Sequence, residues 1–358
     1  PILNTAKIES VVRAACHAPS GGNLQPWKWT SNGSQFRLKR DAALTGGFLD
    51  PREMATHVAL GASLENADLA LKGLGYGTEA AYFPIAERRD VVADIRVLAD
   101  TSIDAEDAFL AKHIFDRETN RNIESGPEID SKILGFLRRA GTRHGSGVAF
   151  IEDRDDLMDV ADIIAFAERY RIMHPEGHKN FNHEMRWTPQ EARESGSGID
   201  VATVDLTVAE QAGFMLAQNP KVIDKLNEWK GGSAFEKLSR KSTGAAAALG
   251  IITRDEHSKL DHLLAGRDME RVWIAANAHG LSFQPQSPIT FMLQRLSDPS
   301  IPNDGRKAEL VQAKERMMQT LSKYTSESPV FIFRLFRGNK KVVRSMRRDP
   351  KLHFRPIE

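Results

Sequence analysis

The chain is organised around the stretch His17-Ala18-Pro19-Ser20-Gly21-Gly22-Asn23-Leu24-Gln25-Pro26-Trp27. Apolar residues recur at helical spacing over 8–16, immediately before it. Because proline cannot continue a helix and glycine relaxes the backbone, the segment 19–22 predicts a turn that ends this helix. The turn carries hydroxyl, amide and open backbone groups that could read the polar edge of a flat heterocycle. On spacing alone, a plain helix-to-strand turn explains the segment equally well.

Composition indicates a globular protein with a core, since 41% of the 358 residues are hydrophobic and 27% are charged. The net charge of +1 gives no reason to expect nucleic acid or a membrane as a partner. A single cysteine, Cys16, excludes an internal disulfide framework and fits a reducing compartment, so we expect a cytoplasmic protein. The chain begins at Pro1, which removal of an initiator methionine explains as well as excision from a longer polypeptide.

A helical pattern occurs twice, over 50–77 and again over 255–281. Six residues recur in the two stretches (Asp, His, Gly, Glu, Ala and a terminal Gly), and the members of each pair lie 205 residues apart. A glycine inside a helix costs about 1 kcal/mol, so the recurrence of Gly61 as Gly266 indicates close packing in both copies. We interpret the pattern as an internal duplication, which predicts two fused half-units that form a pseudo-dimer.

The first of these helices is expected to begin at Asp50, a good N-cap. Pro51 would lie in its first turn, and Glu53 would complete a capping arrangement. Strands are predicted at 35–39, 147–151 and 328–338. Together with the helices, they predict a mixed α+β fold.

The domain organisation follows from the repeat. We divide the chain into a first half-unit, 1–108, and a second, 109–358, with a helical insertion at about 154–240. The insertion has no counterpart in the first half, and we expect it to lie over a ligand pocket.

A basic motif, Arg117-Glu118-Thr119-Asn120-Arg121, opens the second half. Two guanidinium groups and a hydroxyl at this spacing suit a phosphate dianion. Arginines in a turn are also common as surface charges, so the motif alone does not decide between the two interpretations.

The turn resembles the Pro-Ser-x-x-Asn-x-Gln-Pro-Trp signature of the FMN-dependent nitroreductase superfamily. The basic motif resembles that superfamily's Arg-Arg-Ser-x-Arg motif, with Glu118 at the variable second position and Thr119 in place of serine. The chain looks most like the branch with duplicated halves, which includes flavin-sequestering, stress-associated proteins of doubtful reductase activity. The resemblance implies a three-layer α/β/α sandwich. A related arrangement occurs as the C-terminal half of fusions with ThiF-type adenylating domains, so a fused or separate adenylating partner stays open.

The resemblance also implies how the site is shared. In nitroreductase homodimers, each flavin takes the arginine motif from one subunit and the Pro-Ser loop from the other. Here the arginine motif follows the loop, and the equivalent loop of the second half, 142–147, lacks the Pro-Ser pair and the asparagine. We therefore predict one complete site and one FMN per chain. Fused halves need no further partner copy, although a homodimer stays open.

Twelve residues take cofactor-binding roles from the resemblance. The loop 195–200 is expected to bring backbone amides near flavin N5, and C-terminal arginines are expected to help hold the phosphate. A plain loop and a solvated basic tail are the alternatives, and Arg334 or Arg337 could hold the phosphate instead. The expected cofactor-binding residues are Pro19, Ser20, Gly21, Asn23, Gln25, Arg117, Thr119, Arg121, Gly198, Ile199, Arg347 and Arg348.

The implied function is that of an FMN-dependent oxidoreductase. It would pass electrons from NADH or NADPH through flavin N5 to a small acceptor, such as a nitroaromatic, a quinone or the product of a partner enzyme. Because the flavin carries the chemistry, we expect no catalytic acid or base from the protein. We expect no metal either, since Pro175 and Gly177 interrupt any helix that would align the nearby histidines. The alternative is a flavin-sequestering or storage protein with little or no reductase activity.

Overall fold

The computed structural model describes residues 1–100, 102–299, 302–303 and 305–356. This part of the chain contains thirteen α-helices and three sheets, so the expected α+β class is confirmed. Within the same ranges, no helix combines the length and the apolarity that crossing a bilayer requires.

The elements follow one another in four groups. The first group is α1 (Thr5–Cys16), β1 (Trp27–Ser31), β2 (Gln35–Arg40), α2 (Met54–Gly73), β3 (Tyr76–Tyr82) and β4 (Val91–Asp100). Next come α3 (Ala105–Lys112), α4 (Ser131–Ala140) and β5 (Gly147–Ile151). The predicted helical insertion then comprises α5 (Arg154–Met173), α6 (Pro175–Glu184), β6 (Met185–Arg186), α7 (Pro189–Ser195), β7 (Ile199–Asp200), α8 (Val208–Leu216), α9 (Pro220–Glu228) and α10 (Ser233–Gly244). The last group is β8 (Ala248–Arg254), α11 (Lys259–Ala278), β9 (Ser282–Pro285), α12 (Pro288–Leu293), α13 (Gly305–Leu321), β10 (Ser328–Phe336) and β11 (Phe354–Pro356).

The two larger sheets have the same strand order. Strands β1, β2, β4 and β3 lie side by side in the first sheet, and β5, β8, β10 and β9 do so in the second. All neighbours among these eight strands are antiparallel. In chain order, a helix precedes the first strand of each sheet, and a long helix connects the second strand to the third: α2 connects β2 to β3, and α11 connects β8 to β9. The C-terminal strand β11 returns to the first sheet and pairs in parallel with β1.

Helices α2 and α11 pack against each other at their internal glycines. A Cβ atom on Gly61 would lie 2.0 Å from the carbonyl oxygen of Leu263, and one on Gly266 would lie 2.0 Å from that of Val58. Only glycine permits backbones to approach this closely. Val58 and Leu263 are themselves 205 residues apart, so each helix presents the same contact to the other. The close packing that we expected at both glycines is therefore observed.

The predicted start of α2 is wrong. The helix begins at Met54, preceded by Glu53 in a left-handed conformation with φ 57°. The carboxylate of Asp50 nevertheless accepts hydrogen bonds from the backbone amides of Ala55 (2.8 Å) and Thr56 (3.0 Å). The turn at 50–53 places Asp50 outside the helix but next to the first backbone amides of the helix, which have no partner within it. Asp50 therefore caps the helix although it lies four residues before the helix begins.

The helical insertion packs on the rest of the molecule through its first helix. Side chains of α5 share a buried cluster with strands β5, β8 and β10 and with helices α12 and α13. The end of α5 and the later helices of the insertion form a smaller cluster that includes Ile172, Phe181 and Phe235. The insertion therefore forms one wall of the interior space described next.

Candidate functional site

A cavity of about 360 Å³ lies where the turn after α1, the helical insertion and the C-terminal segment meet. Its volume is within the range of small-molecule pockets. Most of its wall is apolar and includes Met269 and Trp273 of α11, Phe331 of β10, and Phe181 and Phe235 of the insertion. Polar and charged side chains are interspersed along this wall and could orient a ligand.

The turn after α1 has an unusual backbone. Gly22, Asn23 and Gln25 have φ values of 55°, 53° and 57°, and this left-handed region is unfavourable for residues other than glycine. The hydroxyl of Ser20 accepts a hydrogen bond from the backbone amide of Gln25 (2.9 Å), which closes the turn. At position 22 a Cβ atom would lie 2.8 Å from Cγ of Glu184, so the turn needs glycine there to pack against the insertion.

The side chain of Asn23 joins the turn to two distant segments. Its amide nitrogen donates to the carbonyl oxygens of Gly198 (3.2 Å) and Met346 (2.9 Å). Its amide oxygen accepts a hydrogen bond from Arg347 (2.9 Å). Asn23 therefore positions Arg347 at the wall of the cavity.

Gln25 has a similar role but does not line the cavity. Its fully buried side chain donates to the carbonyl oxygens of Asn23 (3.1 Å) and Gly196 (2.8 Å) and accepts from the backbone amide of Arg348 (3.1 Å). Arg348 does not line the cavity either, and its guanidinium donates to the carbonyl oxygen of Leu24 (3.0 Å). The structure thus uses Gln25 and Arg348 to hold the turn against its neighbours.

Of the expected N5-facing pair, Ile199 lines the cavity and Gly198 does not. Gly198 has φ 80°, and a Cβ atom there would lie 2.5 Å from Cζ of Arg186. The close approach that requires glycine at this position is therefore made by an arginine of the protein itself.

The basic motif is divided between the cavity and the core. Thr119 and Arg121 line the cavity, whereas Arg117 turns into the core. Nη2 of Arg117 donates to the carbonyl oxygen of His17 (2.7 Å), and Cζ lies 4.7 Å from the ring centroid of Trp273. Arg117 therefore supports the cavity wall from behind.

The ion pair between Arg117 and Glu270 is incomplete. Nε of Arg117 lies 3.2 Å from Oε1 of Glu270, and both groups are buried. Among the described residues, neither Nε nor Nη1 of Arg117, and neither carboxylate oxygen of Glu270, has a hydrogen-bond partner. Burial raises the pKa of Glu270 to about 7, although the charge of Arg117 opposes the rise.

Arg121 and Arg347 are the two cations that the cavity leaves unneutralised. Arg121 donates to the hydroxyl of Thr203 (3.2 Å), and Arg347 donates to Asn23 and to the carbonyl oxygen of Met346 (3.2 Å). In the part of the chain that the structure describes, no carboxylate lies within 4.0 Å of either guanidinium. Burial lowers the pKa of Arg121 to about 10, and burial together with repulsion from Arg117 lowers that of Arg347 to about 9. An anion bound beside the two guanidinium groups would raise both pKa values again.

The structure thus brings together eight of the twelve expected residues. Those that line the cavity are Pro19, Ser20, Gly21, Asn23, Thr119, Arg121, Ile199 and Arg347. Those that do not are Gln25, Arg117, Gly198 and Arg348. The alternative cation Arg334 also lies outside the lining, where it donates to Gln284, to the carbonyl oxygen of Ser242 and to that of Asn122.

Five charged residues of the wall were not expected there from the sequence. Glu168 and Arg171 of α5 and Glu184 of α6 line the cavity, and so do Asp50 and Asp205. The sequence contains a signal for the first two, since they follow Ile164 at spacings of four and seven residues and so interrupt the apolar face of α5.

Comparisons with known proteins find distant similarity. No family model matches the chain. Among solved structures, it is similar to the nitroreductase-like family protein from Bacillus cereus, with a TM-score of 0.34 and 13% identity over 73% of this chain and 100% of that one. Among curated proteins, it is 26% identical over 340 residues to the uncharacterized protein MT1398 of Mycobacterium tuberculosis (strain CDC 1551 / Oshkosh). That match covers 95% of this chain and 47% of the relative, so the chain spans about half of the relative's length.

Proposed function

We propose that the chain binds FMN in this cavity and acts as an oxidoreductase that passes electrons from NADH or NADPH to a small acceptor. One observation carries the proposal: Arg121 and Arg347, both half-buried, line the same cavity as the turn after α1, and neither has a carboxylate partner there. A phosphate dianion would supply the missing negative charge through charge-assisted hydrogen bonds. The hydroxyl of Thr119 would add a further donor.

The other groups of the cavity fit the rest of the cofactor. Nε of Arg347 is buried without a hydrogen-bond partner among the described residues, so a donor remains available at this position. Trp273, Met269 and Phe331 offer apolar surface to a planar ring, and the turn at 20–23 offers polar groups to its edge. FMN would supply hydride-transfer chemistry when bound. The protein's own contribution would be to hold the phosphate, orient the ring and exclude water.

The fold supports a further part of the proposal, that the chain consists of two fused nitroreductase-like half-units arranged as a three-layer sandwich. The strand order is repeated, and α2 and α11 make the same glycine contact with each other. In the second half, the loop at 142–146 does not resemble the turn after α1. Its backbone amides at His144 and Ser146 donate to the carboxylate of Asp268 (2.8 and 3.1 Å). This difference supports one FMN per chain.

The alternative is a protein that sequesters flavin, and the cover of the cavity favours it. Arg171 pairs with Glu184, and Glu184 packs directly on Gly22. These contacts hold the helical insertion on the turn, so a bound flavin would exchange slowly with solvent and meet few substrates. A ThiF-type adenylating partner, a homodimer and a cytoplasmic location stay predictions.

The first experiment titrates the purified protein with FMN and follows flavin absorbance and fluorescence. R121A and R347A should each weaken binding by about 10- to 100-fold, because a hydrogen bond to a charged group contributes about 1.5–3 kcal/mol. R316A is the matched control, since Arg316 is exposed on α13 and pairs with Asp159. FMN affinity that is unchanged in both cavity variants, or no binding by the wild type, would contradict the proposal.

The second experiment separates the two functions. NADH or NADPH is mixed with the FMN-loaded protein in a stopped-flow instrument, and the flavin absorbance is followed. Bleaching within seconds, followed by reoxidation on addition of a quinone or nitroaromatic, supports the oxidoreductase. Stable oxidised flavin in the presence of either dinucleotide supports sequestration.

A further inference from the structure

The carboxyl group of Glu168 lines the cavity and lacks a partner. It lies on α5, and none of the described residues hydrogen-bonds to it or lies within ion-pair distance. Burial raises its pKa, and nearby Glu184 adds to the rise, while Arg171 opposes it. Glu168 is half-buried, and a carboxyl at a cavity wall that has no protein partner can accept hydrogen bonds from a bound ligand. Glu168 is therefore better placed to bind a ligand than to stabilise the fold.

Arg171 lies one turn further along α5 but does not neutralise Glu168. The arginine is only 6% exposed, and its Nη2 donates to Glu184. Its Nε has no hydrogen-bond partner in the described part of the chain. Arg171 is paired with Glu184 and attracts Glu168 only from beyond ion-pair distance, so the carboxyl of Glu168 has no hydrogen-bonded cation.

The cavity thus contains two separate charge centres of opposite sign. Arg121 and Arg347 lack a negative partner, and Glu168 lacks a positive one. Neither arginine lies within ion-pair distance of Glu168, so the two centres do not satisfy each other. A single anionic cofactor would satisfy only the arginines.

We propose that Glu168 selects the substrate of this cavity, favouring molecules with a cationic or hydrogen-bond-donating group and rejecting carboxylates. Amidines, amines and primary amides are the favoured classes, because each can donate to a carboxylate. The inference rests on the proposed function, since FMN at Arg121 and Arg347 leaves the wall of α5 to a second ligand. Glu168 would bind this ligand directly and fix its orientation.

The test uses three planar probes of matched shape: benzamidine, benzamide and benzoate. Each is titrated calorimetrically into the purified protein, with and without saturating FMN. In the FMN-saturated protein, where the phosphate would occupy Arg121 and Arg347, we expect benzamidine to bind at least about tenfold more tightly than benzoate, with benzamide between them. In E168Q the affinity for benzamidine should fall about tenfold and that for benzoate should rise. E315Q is the control, because Glu315 is exposed on α13 and should leave the order unchanged.

Three results would overturn the proposal: benzoate binding as tightly as benzamidine to the FMN-saturated wild type, an unchanged order in E168Q, or no binding by any probe. The wild-type order is informative even if E168Q does not fold. Flavin absorbance in the same samples reports FMN uptake independently. If the protein binds no FMN but still prefers benzamidine, the proposed function is rejected and the role of Glu168 stands. If it binds FMN but shows no preference for benzamidine, the role of Glu168 is rejected and the proposed function stands.

Discussion

Glu65 and Glu270 occupy corresponding positions on α2 and α11, 205 residues apart, yet their surroundings differ. Glu65 accepts hydrogen bonds from Arg267 (2.6 Å) and Arg271 (2.8 Å), and its other neighbour, His144, lies 3.0 Å away. Burial alone would raise the pKa of Glu65, but Arg267 and His144 outweigh it and hold the pKa well below its usual range. Glu65 is thus a fully compensated charge in the core.

Glu270 lies on the side of the helix pair that faces the cavity wall. Arg117 is its ion-pair partner and the side-chain amide of Asn66 is its other polar neighbour, so Glu270 has one cation where Glu65 has two arginines. Arg117 is itself stacked on Trp273, which lines the cavity. One side of the helix pair is therefore satisfied internally, and the other holds unpaired polar atoms beside a pocket.

The difference teaches where to look for function. A buried polar network whose members are all satisfied stabilises one arrangement of the core, whereas buried groups without partners mark places that call for a ligand or for a change in protonation. Under the proposed function, the Glu65 side would belong to a half-unit whose site has been filled by ion pairs, and the Glu270 side to the half-unit that keeps its site. The following substitutions test this contrast.

The largest effect is expected from R271M. Arg271 donates to Glu65 (2.8 Å) and Asp107 (2.7 Å), and the variant would leave both buried carboxylates short of a cation. Breaking a buried ion pair from one side costs about 3–5 kcal/mol, so the free energy of unfolding in urea at pH 7 should fall by that amount. R117M should cost only about 1–2 kcal/mol, because Glu270 can take up a proton instead.

R316M serves as the control for both, since the Arg316–Asp159 pair is exposed and should contribute no more than about 1 kcal/mol. If R117M lowers the free energy of unfolding as much as R271M does, the Glu65 and Glu270 sides contribute equally to stability, and the proposed difference between them is wrong.

The pH dependence of stability should depend on Glu270. Its folded pKa, about 7, is above its unfolded value, so the folded state binds more protons between about pH 4.5 and 7. This contribution to stability is present at low pH and is lost as the pH rises through 7. From pH 5 to pH 8 the wild type should lose about 2–3 kcal/mol of unfolding free energy relative to E270Q. Parallel profiles for the two proteins would show that Glu270 is already ionised when folded.

A smaller effect is expected at the helix crossing. G61A and G266A each place a methyl group against a carbonyl oxygen of the opposite helix. Because the obstructing atoms belong to the backbone of the opposite helix, the cost should lie at the upper end of the about 1–3 kcal/mol typical of overpacking, which the helix propensity of alanine does not offset. Because the contact is reciprocal, the two variants should lose the same free energy of unfolding to within about 1 kcal/mol. G135A on α4 is the control, since its added Cβ meets no atom within 4 Å and should not destabilise.

The parts of the fold that could be predicted are those set by local pattern. The recurrence of Gly61 as Gly266 was visible in the sequence, and the close packing that it predicts is observed. The start of α2 was placed wrongly because Asp50 and Glu53 have the composition of a cap, while the backbone at Glu53 leaves the helical region. Sequence indicates which side chains can cap a helix, but the path of the turn decides which of them does.

The site was harder to predict because distant residues decide which members of a motif face the cavity. Arg117 and Arg121 are equivalent in the basic motif, yet Glu270 and Trp273, more than 150 residues later, draw Arg117 into the core. Glu168 was missed for a related reason. A glutamate on a helix normally indicates a solvated face, and only the packing of the insertion over the turn encloses this one.

The most direct measurement is the stoichiometry of FMN binding to the exhaustively dialysed protein and to its R121A and R347A variants. We predict saturation at one FMN per chain for the wild type and a loss of affinity of about 10- to 100-fold in each variant. Saturation at two per chain would show that the Glu65 side also holds a site. No binding, or one FMN bound with equal affinity in all three proteins, would contradict the assignment of the cavity.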